Sequence, residues 1–179
     1  MLRDRLEKVL DESVERIWDL PPLIVKEPIG DYLPMLVEAR DLYVEGSFYS
    51  CVAMCGIVGE RLAKDLLRVS VLIKKEGAAQ TPTPKAFDQF ERVDVGSLVK
   101  FLKEASLLSA DAAKAASDLG ELRNSYAHAR GKPSKDDAIK AITLLHVLVE
   151  NTVSVFKDFE IKDGAFVQKG TPVPAEKKG

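Results

Sequence analysis

The sequence predicts an all-α protein: an up-down antiparallel bundle of four main helices, with an extra N-terminal helix and a small C-terminal β-hairpin. Three observations carry this expectation. Apolar residues recur at three- and four-residue steps over most of the chain. The breaks between those stretches are marked by Pro, Gly and Ser. Near the C terminus the period changes to strict alternation around an Asp-Gly pair, the strongest hairpin signal in the chain. With 179 residues, the chain is long enough for one domain with a real core plus terminal additions. The expected organisation is an N-terminal amphipathic helix over 1–22, a helical bundle over 23–158, the hairpin over 159–168 and a flexible tail over 169–179.

Each element has a local reason. Leu2, Leu6, Val9, Leu10, Val14 and Ile17 predict a helix over 2–18, which ends before Pro21-Pro22 because proline disfavours a helical residue ahead of it. Asp31 is placed as the N-cap of a helix over about 32–45. Gly46-Ser47 then makes a short turn into the most apolar stretch, about 48–70. So short a break favours a helical hairpin. Ala53, Gly56 and Gly59 on the second helix would let a neighbour approach closely. Residues 74–92, with Gly77, Pro82 and Pro84, read as a long loop.

A short helix follows over 95–106, with Val95, Leu98, Val99 and Leu102 on one side. Ser109 caps the next, and Asp111 suits its positive end. That helix carries Ala112, Ala113, Ala116, Leu119 and Leu122 up to about residue 128, and Gly131 and Pro133 stop it. Ser134 opens the last long helix, with Asp137 three residues on in capping-box fashion. Its apolar face is Ile139, Ile142, Leu145, Leu148, Val149, Thr152, Val153 and Phe156.

Composition narrows the function. Hydrophobic content of 46% and charged content of 30% suit a soluble globular protein, and the net charge of −2 does not advertise a nucleic-acid binder. The charged opening residues predict no signal peptide. No apolar run approaches the roughly 20 residues that span a bilayer, so a cytoplasmic protein without membrane association is expected. Cys51 and Cys55 have no second Cys or His pair at metal-site spacing and read as small core side chains. His146, inside an apolar run, reads as a packed histidine. There is no Gly-x4-Gly-Lys-Ser/Thr loop for a nucleotide.

Chemistry concentrates in one turn, Arg123-Asn124-Ser125-Tyr126-Ala127-His128. Arginine presents a planar fork that matches phosphate oxygens, and histidine moves protons near neutral pH. Together they can cleave RNA without a metal, by helping a 2′-hydroxyl attack the adjacent phosphorus. Asn124 and His128, four apart, share a helix face, whereas Arg123 and His128 are roughly 140° apart around the axis. One histidine must serve as acid and base in turn unless a two-fold dimer supplies a second. Arg130, Lys132 and Lys135 follow closely and form a candidate basic rim for an RNA backbone. Tyr126 is a candidate substrate contact that is also partly core. The alternative is structural: a histidine serving the helix C terminus and Arg123 paired with Glu60 or Glu121.

Arg123-Asn124-x-x-x-His128 resembles the marker motif of HEPN domains, in which Arg, a polar residue, three variable residues and His stand near the end of a late helix in an α-helical bundle. The stretch from Ala39 through Gly46-Ser47 to Ala53 is similar to the helical hairpin of HEPN-like domains. In those, a Gly turn precedes an apolar, alanine-rich helix ending in a Glu-Leu-like segment; Glu60-Arg61-Leu62 stands at that place. The resemblance covers roughly residues 31–157. It implies a metal-independent endoribonuclease, without a cofactor, often a toxin or defence effector, that dimerises to build its active site. By position, Arg123 would bind and polarise phosphate, His128 would transfer protons and Asn124 would support both; Glu60 transfers on helix position alone. The family also includes interaction modules that keep the fold without activity, some beside nucleotidyltransferase-type partners. A non-catalytic adaptor is therefore the alternative, and a nucleotidyltransferase-type antitoxin is a candidate protein partner.

Overall fold

The computed structural model describes residues 2–22, 32–75, 78–80, 82–87, 93–127, 134–157, 159–162 and 165–168. Among these residues the protein is helical, with six α-helices: α1 (Leu2–Asp19), α2 (Tyr32–Val44), α3 (Phe48–Ser70), α4 (Val95–Glu104), α5 (Ala110–Ala127) and α6 (Lys135–Lys157). Two short antiparallel ladders accompany them. Ile73–Lys75 (β1) pairs with Ala78–Gln80 (β2), and Phe159–Lys162 (β3) pairs with Ala165–Gln168 (β4). Residues 74–92, expected as loop, thus contain a ladder and a 3-10 turn over Pro84–Phe87, and that turn carries the buried Phe87. Pattern reading missed both, because three-residue strands are too short to show a period. The Asp31 cap, the Gly131–Pro133 break, the Asp163-Gly164 turn and the tail from 169 lie outside the described residues.

Helix α3 is the centre of the molecule and packs on α2, α5 and α6, while α4 lies against α5 and α3. Its inward face, including Val52, Cys55, Val58, Leu62 and Leu66, meets Leu119 of α5 and Leu145 and Leu148 of α6 in one continuous core. Cys51 and Cys55 are buried and unbridged. A hydrogen bond with Cys51, together with burial, pushes the Cys55 thiol well up, and both buried side chains pack as small groups of the core.

The helix ends are closed by named groups. At the end of α2, Gly46 takes φ +81°; its N–H donates to the Tyr43 carbonyl (3.0 Å) and the Ser47 N–H to the Leu42 carbonyl (2.8 Å). This is the paired bonding of a Schellman cap, which glycine enters without steric cost. Helix α4 ends the same way, with Ser106 N–H on the Lys103 carbonyl (2.9 Å) and Leu107 N–H on the Leu102 carbonyl (2.8 Å), but its left-handed residue is Ser106, at φ +57°. Ser109 Oγ accepts from the Ala112 N–H at 3.1 Å, the expected cap of α5.

Helix α1 attaches through polar groups more than through its apolar ones. Arg16 is buried, and its Nε donates to the Val44 carbonyl at 2.7 Å, which occupies an orphan acceptor at the end of α2. Asp19 accepts from the Tyr43 hydroxyl (2.9 Å) and pairs with Lys135 of α6 (2.6 Å). These two contacts hold the carboxyl of Asp19 below its usual range. The apolar side chains Leu10, Val14, Ile17 and Trp18 remain exposed.

Candidate functional site

The small residues of α3 position the arginine. A Cβ on Gly56 would stand 2.5 Å from Cγ and 2.7 Å from Cβ of Arg123, and one on Gly59 would stand 2.8 Å from Leu119 Cδ2. Glycine at these two positions is therefore the condition for α5 to lie where it does against α3. Leu119 enters the core, and the Arg123 stem lies flat across Gly56, which restricts where the guanidinium can go. The expectation that Gly56 and Gly59 admit a close neighbour holds, and that neighbour is the arginine-bearing helix.

The guanidinium reaches a cleft of about 470 Å³ between α3, α5 and the start of α4, lined by Glu60, Val93–Gly96, Lys100, Ser117, Gly120, Glu121 and Asn124 as well as Arg123. Arg123 Nη2 stands 3.7 Å from Glu60 Oε2, with the arginine side chain 39% exposed. The other oxygen of Glu60 pairs with Lys64 Nζ at 2.9 Å, so this carboxylate is held between two cations. Arg123 Nη1 donates to Asn124 Oδ1 at 3.5 Å, the long limit of a hydrogen bond. Neither contact has the short bidentate geometry of a locked arginine–carboxylate pair.

Across the cleft, the Asp94 carboxyl caps α4 by accepting from the Ser97 N–H at 2.9 Å. The Ser97 contacts, with Lys100 nearby, hold it below the usual carboxylate range. The charged lining comprises Lys100 and Arg123 against Glu60, Asp94 and Glu121. Net charge therefore does not draw an anion here; what the cleft offers one is the direction of the Arg123 fork.

The other predicted site residues are placed differently. Tyr126 is buried at 4% exposure. Its hydroxyl donates to Asp137 Oδ2 (2.6 Å) and accepts from the Ser134 N–H (3.2 Å), while the Asp137 N–H donates to Ser134 Oγ (3.1 Å). The expected capping box of α6 is thus half formed. Asp137 turns to Tyr126, and the tyrosine hydroxyl takes the Ser134 N–H that a longer glutamate would reach. Tyr126 joins α5 to α6 from within the core rather than facing a substrate. Lys135, expected on a basic rim, is engaged with Asp19. Ser125 Oγ returns to the Leu122 carbonyl at 2.7 Å. His128, Arg130 and Lys132 lie outside the described residues, and α5 is described through Ala127.

His146 is packed, at 7% exposure. Its Nε2 lies 3.2 Å from Arg40 Nη1, which also donates to the Pro21 carbonyl at 2.7 Å. Arginine can only donate, so Nε2 accepts and the ring is neutral. Burial, with the Arg40 cation beside it, pushes its pKa down to about 4.

Among the described residues, then, Arg123, Asn124 and Glu60 come together on one cleft. Lys100 and Asp94 join them without having been expected. Asp94-Val95-Gly96-Ser97 is a readable helix start, but only packing reveals that it faces Arg123. No family model matches the chain, and no curated protein or solved structure matches it either.

Proposed function

We propose that the protein is a HEPN-like, metal-independent endoribonuclease, acting in the cytoplasm as a homodimer in a toxin or defence setting. The architecture belonging to this reading is an up-down four-helix bundle of the HEPN type, extended by α1 and by the C-terminal hairpin. The observation that carries it is the arginine of an Arg-Asn-x-x-x-His motif standing half-exposed over a cleft, held by an extended contact across Gly56 and flanked by Asn124 and Glu60.

In this reading Arg123 receives a phosphodiester of single-stranded RNA. The 2′-hydroxyl loses its proton to His128, its oxygen bonds to the adjacent phosphorus, and the bond from phosphorus to O5′ breaks. The leaving O5′ takes a proton from an imidazolium, supplied in turn by the same His128 or by its copy across the dimer axis. The products are a 2′,3′-cyclic phosphate and a 5′-hydroxyl. Negative charge gathers on the phosphoryl oxygens in the transition state, and a fixed guanidinium lowers the barrier there by a few kcal/mol. Glu60, itself paired with Lys64, stands 3.7 Å from that guanidinium and biases its direction, and Asn124 supports it.

Purified protein incubated with single-stranded RNA in EDTA tests the reading. Cleavage with cyclic-phosphate ends is expected. His128→Ala should lower it by about 10²–10⁴-fold. Arg123→Gln, which keeps much of the stem over Gly56, should lower it by about 10²–10³-fold. Activity that survives both changes, or none on diverse RNAs, overturns it. One observation favours a second reading, a non-catalytic HEPN-like adaptor: the apolar face that α1 leaves exposed. Affinity capture from the source cell should then recover a stoichiometric protein partner, of which a nucleotidyltransferase-type antitoxin is the candidate; recovery of none argues against it.

A further inference from the structure

We propose, resting on the nuclease reading, that the cleft beside Arg123 is also a base pocket: a guanine of the RNA strand lies flat on α5 at Gly120 while Arg123 holds a neighbouring phosphate. Gly120 stands in the middle of α5, where glycine is less favourable than alanine. No packing contact accounts for it. A Cβ on Gly56 or Gly59 would collide with side chains of α5, whereas one on Gly120 would meet nothing within 4 Å. The space over Gly120 belongs to the cleft, so the wall there is bare helix backbone.

The groups around Gly120 suit a nucleotide. Arg123 and Asn124 lie one turn further along the same face of α5, and Val93 and Val95 line the cleft from the start of α4. A flat ring fits between bare backbone and branched apolar side chains. The cleft, at about 470 Å³, has the size of sites that enclose small ligands. Two of its three carboxylates are engaged. Glu60 lies between Lys64 and Arg123, and Asp94 caps α4 through the Ser97 N–H. Glu121, next to Gly120 on the cleft wall, makes no hydrogen bond or salt bridge among the described residues. Its two oxygens match the guanine edge, where N1–H and the 2-amino group are adjacent donors. Adenine and cytosine set a ring-nitrogen acceptor beside one amino group, and uracil sets a carbonyl on each side of one N–H. Each of those brings a lone pair against the carboxylate. Single-stranded RNA presents such edges unpaired. The excess of carboxylates, which draws no phosphate, is what a neutral, donor-rich base can use.

Fluorescence anisotropy on the full chain tests this, with 2′-O-methyl oligouridine strands that carry one central guanine, hypoxanthine, adenine or cytosine. These strands have no 2′-hydroxyl to attack phosphorus, so binding is read apart from cleavage. The guanine strand should bind about tenfold tighter than the adenine, cytosine and all-uracil strands, with hypoxanthine, which lacks the 2-amino group, in between. Glu121→Gln puts a donor where guanine needs an acceptor and should level guanine with the other bases. Gly120→Ala should weaken the guanine strand about tenfold while raising the urea midpoint, a combination that damage to the fold would not give. Equal affinity for every strand, or binding to none, overturns the proposal. So does a guanine preference that survives Glu121→Gln, or wild-type affinity in Gly120→Ala. Cleavage of the matching ribonucleotide strands is measured separately. Guanine-selective binding without cleavage sinks the nuclease reading and keeps the pocket; cleavage indifferent to the base does the reverse.

Discussion

Ser106 occupies a left-handed conformation, at φ +57°, in the position where α2 uses Gly46. A side chain there costs about 1–2 kcal/mol. Ser106 is exposed and its cap uses backbone groups only. Ser106→Gly should therefore stabilise the protein by about 1 kcal/mol, read as a higher denaturant midpoint at unchanged slope. A second contrast separates two helical glycines. Gly56→Ala drives a methyl into the Arg123 stem and should cost about 1–3 kcal/mol, as overpacked cores do. It should also displace the guanidinium from the cleft. Gly120 has nothing within 4 Å of its would-be Cβ, so Gly120→Ala should gain about 0.5–1 kcal/mol from helix propensity alone. Equal signs for the two substitutions would show that close packing at Gly56 is not what holds Arg123. The sequence alone shows both as glycines in helices; only the approach of another helix divides them.

At the scale of elements, long helices were legible because their apolar period is sustained over several turns. α3 spans the expected 48–70, α2 ends within a residue of expectation, and α5 and α6 begin where Ser109 and Ser134 were expected to open them. The cap at Ser109 was legible too, and Gly46 was legible as a turn, because both are short-range chemistry. The tyrosine bridge was not. Tyr126 and Asp137 are eleven residues apart, on different helices, and their bond depends on how α5 meets α6. Tyr126→Phe should leave the Ser134 N–H and the Asp137 carboxylate without this partner and cost about 1–2 kcal/mol. The measurement is urea unfolding, and a change of under a few tenths of a kcal/mol would remove the bridge from any account of stability. The fate of α1 was likewise hidden. Its period predicts an amphipathic helix, but the period does not tell which of its faces the protein covers, and Arg16 with Asp19 decides that.

For the molecule as a whole, His146 links stability to pH. Unfolded, it takes up a proton near its ordinary pKa of about 6.5; folded, it does so only at about 4. Between these values the unfolded chain binds more protons, so stability rises as pH goes from 4 to 6.5 and falls on acidification through that window. The size is about 2–3 kcal/mol. His146→Gln, which still offers an acceptor to Arg40, should flatten this part of the profile. If the urea midpoint of the variant falls between pH 6.5 and 4.5 as steeply as in the wild type, the dependence belongs to other groups. The sequence by itself determined the helical class, the span of α3 and the starts of α5 and α6, the caps at Ser109 and Ser134 and the presence of an arginine with a polar neighbour late in a helix. It did so because period and capping are interactions within a few residues. Tertiary structure alone decided that Arg123 crosses Gly56 into a cleft beside Glu60, that Lys135 serves α1, and that α1 turns an apolar stripe outward. Each of these depends on contacts between residues far apart in the chain, for which no local spacing carries a signal.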